Sequence, residues 1–199
     1  MARTRALDFE EKQLALLDHA ANVLATMGVH KASMSQIAAQ AHVSKALLYH
    51  YYPSKDALVY AIIFNHLGAL DADLEASDDQ SLKPTARLKL LVGIVIGHYR
   101  GADDRHTVQL NAMGMLTGQQ RQSITEIERR IVRRFASVLR DISPRLDNKE
   151  RPLLMPVTMS LFGMLNWMYM WFRDSGRLSR EEYADVVTTL ILEGVKALR

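Results

Sequence analysis

Apolar residues recur along this chain at intervals of three and four positions, and the period-two alternation of a half-buried strand is absent. The pattern therefore predicts an all-α protein of about nine helices. The first helix spans about residues 9–27 and ends near Gly28. Its apolar face is formed by Leu14, Leu17, Ala21 and Leu24.

Three further helices are predicted before the polar segment at residues 75–85, and Pro84 suits the first turn of the helix after that segment. Beyond it, helices are predicted at about residues 85–100, 105–117, 119–142, 149–174 and 180–198. The longest apolar runs are interrupted by Gly, Asn, Thr or Ser, so neither matches the roughly 20-residue span of a membrane helix. No membrane association and a cytoplasmic protein are expected.

Residues 33–55 have the spacing of a helix-turn-helix. Ser33 and Ser44 are side chains of the type that caps helix N-termini, and only a few residues around His42 separate the two short helices they begin. The second of these helices is brief because Pro53 cannot continue a helix interior. A long fourth helix is expected to start at Ser54.

The residues of the third predicted helix fit a major groove. The run from Ser44 to Lys55, SKALLYHYYPSK, carries donors and aromatic rings that can reach phosphates and base edges. Val43 and Leu48 are expected to point inward, and Tyr52 is expected to pack in the core rather than contact DNA. This content, more than the spacing, indicates DNA binding.

The run from Ser33 to Leu58, SMSQIAAQAHVSKALLYHYYPSKDAL, resembles the DNA-binding domain of the tetracycline-repressor (TetR) family. That family's signature ends in a Tyr, an aromatic pair and Ser-Lys. The chain departs from it at His42, where the family usually has Gly. His enters left-handed backbone angles more readily than a β-branched residue, so the turn is expected to survive with some strain.

The resemblance implies roles for individual positions. It places Ser33, Tyr49 and Lys55 on phosphates, and it directs Lys45, Leu47 and His50 toward base edges. Leu47 is suited to contact a thymine methyl group but not to read a guanine. The full predicted DNA-binding set is Ser33, Ser35, Gln36, Ser44, Lys45, Leu47, Tyr49, His50 and Lys55.

Charge adds little to this picture. The net charge of the chain is +3, and residues 1–58 hold six basic against five acidic side chains. Binding would then depend on where cations and hydroxyl donors lie rather than on bulk charge. Arg3 and Arg5 are candidates for a minor-groove arm. The absence of cysteine excludes disulfides and thiolate metal sites, which suits a reducing compartment.

Residues 56–199 are predicted to form a second domain, after a DNA-binding domain at residues 1–55. The resemblance implies that this larger domain binds a small inducer and forms a homodimer. Its ending, LFGMLNWMYMWFRDSGRLSREEYADVVTTLILEGV, is similar to members of the family that respond to acyl-CoA thioesters or related lipid-like metabolites. The predicted ligand-binding residues are Met113, Met159, Phe162, Asn166, Trp167, Met170, Arg130 and Arg134.

Two apolar stretches near the C-terminus predict the dimer surface. They carry more apolar surface than a monomer readily buries, and pairing them across a two-fold axis would form a four-helix interface. Their residues are Leu161, Met164, Leu165, Met168 and Phe172, and then Val186, Val187, Leu190, Ile191 and Gly194. A dimer of this kind predicts a palindromic operator.

The sequence leaves the role of Arg130 and Arg134 open. They either bind CoA phosphates or form a solvent-exposed helix face that pairs with Glu126 and Glu128. The chain as a whole is expected to be a repressor with no cofactor, metal or catalytic residue. The rivals are an architectural DNA-binding protein without a ligand, and a helical enzyme with a metal near His98 and His106.

Overall fold

The computed structural model describes the backbone of residues 2–198 and the side chains of residues 12–198. Within that range the regular structure is helical, apart from one isolated antiparallel bridge between Asp147 and Pro152. Nine helices of seven residues or more are accompanied by a single helical turn, α9, and by two 3₁₀ turns at Met113–Met115 and Pro144–Leu146. The helices are α1 Ala2–Met27, α2 Met34–Gln40, α3 Lys45–Tyr51, α4 Lys55–Ser77, α5 Pro84–His98, α6 Asp103–Ala112, α7 Gly118–Ile142, α8 Leu154–Asn166, α9 Met168–Trp171 and α10 Arg180–Ala197. The all-α prediction is confirmed.

The chain divides into two compact units. The first comprises the residues up to Leu67 together with Gly101–Thr125, and the second comprises Gly68–Arg100 and Glu126–Arg199. Both α4 and α7 begin in the first unit and end in the second. These units group residues that pack together. The boundary predicted at residue 55 instead separates residues that bind DNA from residues that bind the effector.

In the first unit α1 packs against α6 and α2, and α2 packs against α3. Its core contains the fully buried side chains of Leu24, Ile37 and Leu48. The contact between α1 and α6 is reinforced at the surface, where Arg105 pairs with Asp18. Leu14, predicted on the buried face of α1, is instead exposed, and it borders a surface cleft that Leu17 and Asn65 also line.

In the second unit α10 packs against both α5 and α8. Phe135 of α7 is completely buried and meets Phe162 of α8 edge to face, with ring centroids 5.1 Å apart. Tyr99, just after α5, donates its hydroxyl to Oδ1 of Asn166 at 2.8 Å, and burial raises the pKa of that hydroxyl. Buried aromatic contacts therefore hold the helices of this unit together.

One predicted helix is longer than the observed element. Residues 149–174 were expected to form a single helix, but α8 begins at Leu154 and α9 is a separate turn. Pro152 disfavours helical angles at the residue before it, and the chain there forms the bridge to Asp147. The prediction of one continuous helix is therefore wrong at both of its ends and near Trp167, which separates α8 from α9.

The helix α4 is long and apolar enough, by length and composition alone, to cross a membrane. Half of that apolar stretch is buried inside the protein. A core helix of a folded domain has the same composition, because its apolar side chains are covered by neighbouring helices.

Candidate nucleic-acid interface

The start of α2 is held by a reciprocal cap. The Ser33 hydroxyl accepts from the Gln36 backbone N–H at 3.3 Å, and the Ser33 backbone N–H donates to Gln36 Oε1 at 2.9 Å. The Ser33 hydroxyl also donates to the same Oε1 at 2.8 Å. Both residues and Ser35 are exposed. The cap that the sequence predicts is confirmed. It uses the side-chain oxygen of Gln36, and the side-chain NH₂ group of Gln36 keeps both of its N–H donors.

The turn between α2 and α3 depends on an unusual backbone angle. His42 has φ of 53° and is the one non-glycine residue with positive φ in the part of the chain that the structure describes. The Val43 N–H donates to the Ala38 carbonyl at 3.0 Å and the His42 N–H donates to the Ala39 carbonyl at 3.2 Å. This is the hydrogen-bond pattern of a Schellman motif, in which glycine usually occupies the left-handed position. The expectation that His42 enters left-handed angles is confirmed.

Helix α3 presents one face to the core and the opposite face to solvent. Ser44 caps it by accepting from the Leu47 N–H at 3.1 Å, and Leu48 is completely buried. Leu47 is 41% exposed and Tyr49 is 42% exposed, although neither is a charged side chain. The exposed Leu47 and Tyr49 beside the buried Leu48 give α3 a solvent-exposed face, which we call its open face.

Two cationic or ionisable side chains share that open face. Lys45 is exposed, and its Nζ lies 5.8 Å from the centroid of the Tyr49 ring. His50 is exposed one position after Tyr49 and packs edge to face on Tyr51. Ammonium, imidazole, phenol and aliphatic groups are thus displayed together over two helical turns, which fits contact with both phosphates and base edges.

Tyr52 belongs to the core, as predicted. Its side chain is buried, and burial raises the pKa of its hydroxyl. Tyr52 is also the C-cap of α3, and its N–H donates to the Leu48 carbonyl at 2.9 Å. It therefore ends the helix and anchors it instead of facing outward.

Lys55 has protein partners. Its ammonium donates to the carbonyl oxygens of His30 at 3.0 Å and Ala32 at 3.1 Å, both in the turn that precedes α2. These contacts join residues 25 and 23 positions apart. No local pattern in the sequence signals them, since a lysine in the first turn of a helix is more often solvated. Arg3 and Arg5, the candidates for a minor-groove arm, lie outside the residues whose side chains the structure describes.

The predicted ligand contacts of the second unit differ in exposure. Phe162 is buried, and Asn166 accepts the Tyr99 hydroxyl. Met159, Trp167 and Met170 are exposed instead, with Trp167 at 60%. Met113, the remaining apolar member of the predicted set, lies in the 3₁₀ turn of the first unit.

The two predicted phosphate-binding arginines are both engaged in ion pairs. Arg130 Nε donates to Asp71 Oδ2 at 2.8 Å, and Arg134 Nη1 donates to Asp78 Oδ2 at 3.1 Å. Asp78 is 4% exposed and also binds Arg87, whose hydrogen bond is the main reason that the pKa of Asp78 lies below its ordinary value. The sequence did not indicate these acidic partners, which lie 59 and 56 residues away.

The residues of the enzyme alternative lie in different surroundings. His106 is buried in the first unit, where its ring meets that of His66. His98 belongs to the second unit, and its Nδ1 lies 3.4 Å from Asp73 Oδ2. Among the described residues no group of three or more His, Cys, Asp or Glu side chains is arranged to hold a metal ion.

Two family models together match most of this chain. The model described as the C-terminal domain of tetracyclin repressor-like proteins matches residues 81–195, and that of bacterial regulatory proteins of the tetR family matches residues 16–62. The transcriptional regulator BetI of Rhizobium meliloti is 36% identical over 83 residues, which are 42% of this chain and 41% of BetI. The match thus spans about two-fifths of that relative's length.

Solved structures extend the likeness to both units. A TetR-family regulator from Bordetella parapertussis is 28% identical, with a TM-score of 0.83 over 92% of this chain and 95% of the other. The structure of AibR in complex with isovaleryl coenzyme A and operator DNA is 26% identical, with a TM-score of 0.77 over 91% and 98% of the two chains. The capped helices α2 and α3, the open face of α3 and the family matches lead to one conclusion: this chain is a helix-turn-helix DNA-binding transcription regulator and belongs to the TetR family.

Proposed function

We propose that this regulator represses transcription by binding a palindromic operator as a homodimer, and that a small effector releases it. Residues 1–55 read DNA, and residues 56–199 bind the effector and dimerise. The observation that carries the proposal is the open face of α3, where Lys45, Leu47, Tyr49 and His50 are exposed around the buried Leu48. The regulator acts in the cytoplasm, where its DNA is.

Within this face the side chains divide by chemistry. Tyr49 donates its hydroxyl to a phosphate, as does the Ser44 hydroxyl at the start of α3. The Ser33 hydroxyl does so by exchanging its bond to Gln36 Oε1 for one to the phosphate. Lys45 and His50 donate to base edges, and Leu47 covers a thymine methyl group. Ser35 and the Gln36 amide nitrogen are secondary base contacts. Residues 6–86 contain no arginine, so helices α2 and α3 cannot make the bidentate arginine contact to guanine.

The dimer surface that we propose consists of Met155 and Met159 of α8 with Val186 and Leu190 of α10, named here the α8/α10 stripe. The two pairs are each spaced by four residues, all four side chains are at least 44% exposed, and α8 packs beside α10. A contiguous apolar stripe on paired helices is the usual site of a two-fold interface. Most of the residues predicted for this role from sequence are buried within the chain itself: Leu161, Leu165, Met168, Phe172, Val187 and Ile191.

Sedimentation or light scattering tests the dimer. We expect Leu190→Glu to convert the protein to a monomer, because a carboxylate in each protomer would have to be buried in an apolar interface. Leu82→Glu is the matched control, since Leu82 is exposed in the segment between α4 and α5 and outside the α8/α10 stripe. A wild-type protein that sediments as a monomer at micromolar concentration would exclude this interface.

The effector that we propose is an acyl-CoA thioester or a similar lipid-like metabolite. Support comes from AibR, which was solved with isovaleryl coenzyme A, and from the apolar composition of the second unit. Phe162 and Asn166 are the proposed contacts to the acyl part. Arg130 is 54% exposed and can bind a phosphate as it leaves Asp71, whereas Arg134 is 19% exposed and shares Asp78 with Arg87.

A thermal-shift series tests the effector class. Short-chain acyl-CoAs should raise the melting temperature more than free CoA or the free acids, since binding to the folded state alone stabilises it. Arg130→Ala should reduce the shift, while Arg129→Ala, a change of the same charge at an exposed neighbour, should not. Equal shifts with all three ligand classes would contradict the assignment.

Selection from a random duplex library tests the function as a whole. We expect the purified protein to enrich an inverted repeat whose half-sites are centred about 34 Å apart, one helical turn of DNA. Acyl-CoA should then lower the affinity for the enriched duplex. An even affinity across all sequences, unaffected by any effector, would indicate an architectural DNA-binding protein instead.

A further inference from the structure

We propose that the first compact unit contains a second small-molecule site, which binds an apolar carboxylic acid. The site, named here the α1/α6 cleft, lies between the last turn of α1, the α1–α2 turn at residues 28–33 and one face of α6. Its lining includes Leu24, Met27, Val29, Lys31, Thr107 and Asn111. It does not depend on the effector site proposed in the second unit, because its lining residues belong to the first.

The size and apolar lining of the cleft suit a small hydrophobic molecule. Its volume is about 520 Å³, within the range of about 300–1,000 Å³ that is typical of ligand pockets. Leu24 and Val29 are buried beneath it, whereas Met27 is 39% exposed at its edge. Each methylene group of a ligand that leaves water for these side chains should tighten binding about fourfold.

The charge of the cleft selects an anion. Its polar lining residues are His30, Lys31, Thr107 and Asn111, and no described aspartate or glutamate lines it. Within the part of the chain that the structure describes, the exposed ammonium of Lys31 forms no hydrogen bond or ion pair with the protein. Asn111 Nδ2 donates to the Thr107 carbonyl at 2.8 Å, which leaves its second N–H for a ligand. One lysine and one neutral donor match the single negative charge of a carboxylate.

The walls of the cleft are held by hydrogen bonds within the protein itself. The N–H groups of Lys31 and Ala32 both donate to the Gly28 carbonyl at 3.1 Å, which fixes the α1–α2 turn. Asn22 Nδ2 donates to Asp104 Oδ2 at 2.9 Å, which ties α6 to α1. A site with fixed walls binds its ligand without the entropic cost of ordering them. Because the α1–α2 turn leads directly into α2, a bound acid would join α6 to the start of the helix-turn-helix.

Titration calorimetry with a series of chain lengths and head groups tests the site. We expect octanoate to bind more tightly than hexanoate, and hexanoate more tightly than butyrate, by up to about fourfold per methylene. Octanol and octylammonium should bind about tenfold more weakly than octanoate, since neither brings a negative charge to Lys31. Lys31→Met should weaken octanoate binding about tenfold, whereas Lys83→Met, at an exposed lysine of the second unit, should not. Equal binding of the three head groups would overturn the proposal.

A steric variant locates the site. Asn111→Trp places an indole ring at the cleft and should abolish octanoate binding, while Leu110→Trp, at an exposed neighbour that does not line the cleft, should preserve it. Both positions are exposed, so both variants should fold, which circular dichroism checks. Octanoate binding to Asn111→Trp as tight as to wild type would overturn the proposal.

The rival role of Lys31 is a contact to a DNA phosphate. Each such contact contributes about 0.9 to the slope of log DNA affinity against log salt concentration. If Lys31→Met lowers this slope by about 0.9 on a selected duplex and leaves octanoate binding unchanged, the proposal is overturned. A failure of acyl-CoA to bind would instead count against the effector proposed for the second unit, a result distinct from these.

Discussion

Replacing Arg180 with methionine tests how the second compact unit is held together. The Arg180 side chain is 7% exposed, and its Nη1 donates to the Ile96 carbonyl at 3.1 Å. Ile96 lies in the last turn of α5, where carbonyls lack an intrahelical partner, so a guanidinium there caps the helix and opposes its negative end. Asp174 accepts from Nε and Nη2 at 2.6 and 2.9 Å, and the guanidinium carbon lies 5.2 Å from the centroid of the Phe172 ring.

The expected loss of stability follows from these contacts. Leaving the buried Ile96 carbonyl unpaired costs about 1–3 kcal/mol. The contact of the cation with the Phe172 ring contributes about 1 kcal/mol. The pair with Asp174 adds little, since that carboxylate is 57% exposed and well solvated. Methionine restores part of the apolar packing, so we expect a net loss of about 3 kcal/mol in the free energy of unfolding.

Urea unfolding followed by circular dichroism measures this loss, and a fall of roughly 6–12 °C in melting temperature should accompany it. Asp174→Asn is the control, because it removes only the exposed partner and leaves the cap on α5 in place. It should destabilise far less than Arg180→Met. The reasoning is refuted if both variants lose the same stability, or if Arg180→Met loses less than about 1 kcal/mol.

Three further predictions concern single residues. His42→Gly should raise the free energy of unfolding by up to about 1 kcal/mol, because the strain removed from the left-handed backbone angle outweighs the larger entropy that glycine loses on folding. Gly101→Ala, at φ of 69°, should lower the free energy of unfolding. The Arg87 hydrogen bond lowers the pKa of Asp78 in the folded state. The ionised Asp78 therefore stabilises the fold above pH 3.8, its ordinary pKa, and this stabilisation is lost as the pH falls below that value. Urea unfolding between pH 3 and 6 should therefore show a shallower acid loss for Asp78→Asn than for wild type, and equal slopes would contradict the assignment. Leu47→Ala should weaken binding to the selected operator by about 0.8 kcal/mol per methylene removed from contact, and deoxyuridine in place of the contacted thymine should weaken wild type but not the variant.

The helix-turn-helix was predictable because its signals are local. Ser33 and Ser44 cap the helices that follow them, Pro53 ends the reading helix, and the few residues between the helices leave room only for a tight turn. The left-handed backbone angle of His42, at a position where the family usually has glycine, was also predictable, because that angle depends on the local turn and on the residue's own side chain. Local signals of this kind also gave the bounds of α7 and α10 to within two residues.

Other features depended on residues far apart in the chain. The apolar spacing assigned Leu161 and Val187 to a dimer surface, whereas the folded chain buries both and leaves Met159 and Leu190 exposed. A helical face has the same pattern whether the chain itself or a second copy covers it. Exposure in the folded unit was needed to place the proposed dimer surface.

By itself, then, the sequence determined the all-α architecture, the reading helix and the caps that begin it, because each rests on the conformational preferences of neighbouring residues. Only the tertiary structure decided that Lys55 binds the carbonyls before α2 and that Arg130 and Arg134 bind Asp71 and Asp78. These partners are between 23 and 59 residues apart. A charged side chain accepts any complementary group that packing brings within reach, and packing of distant helices is not encoded in any short stretch of the chain.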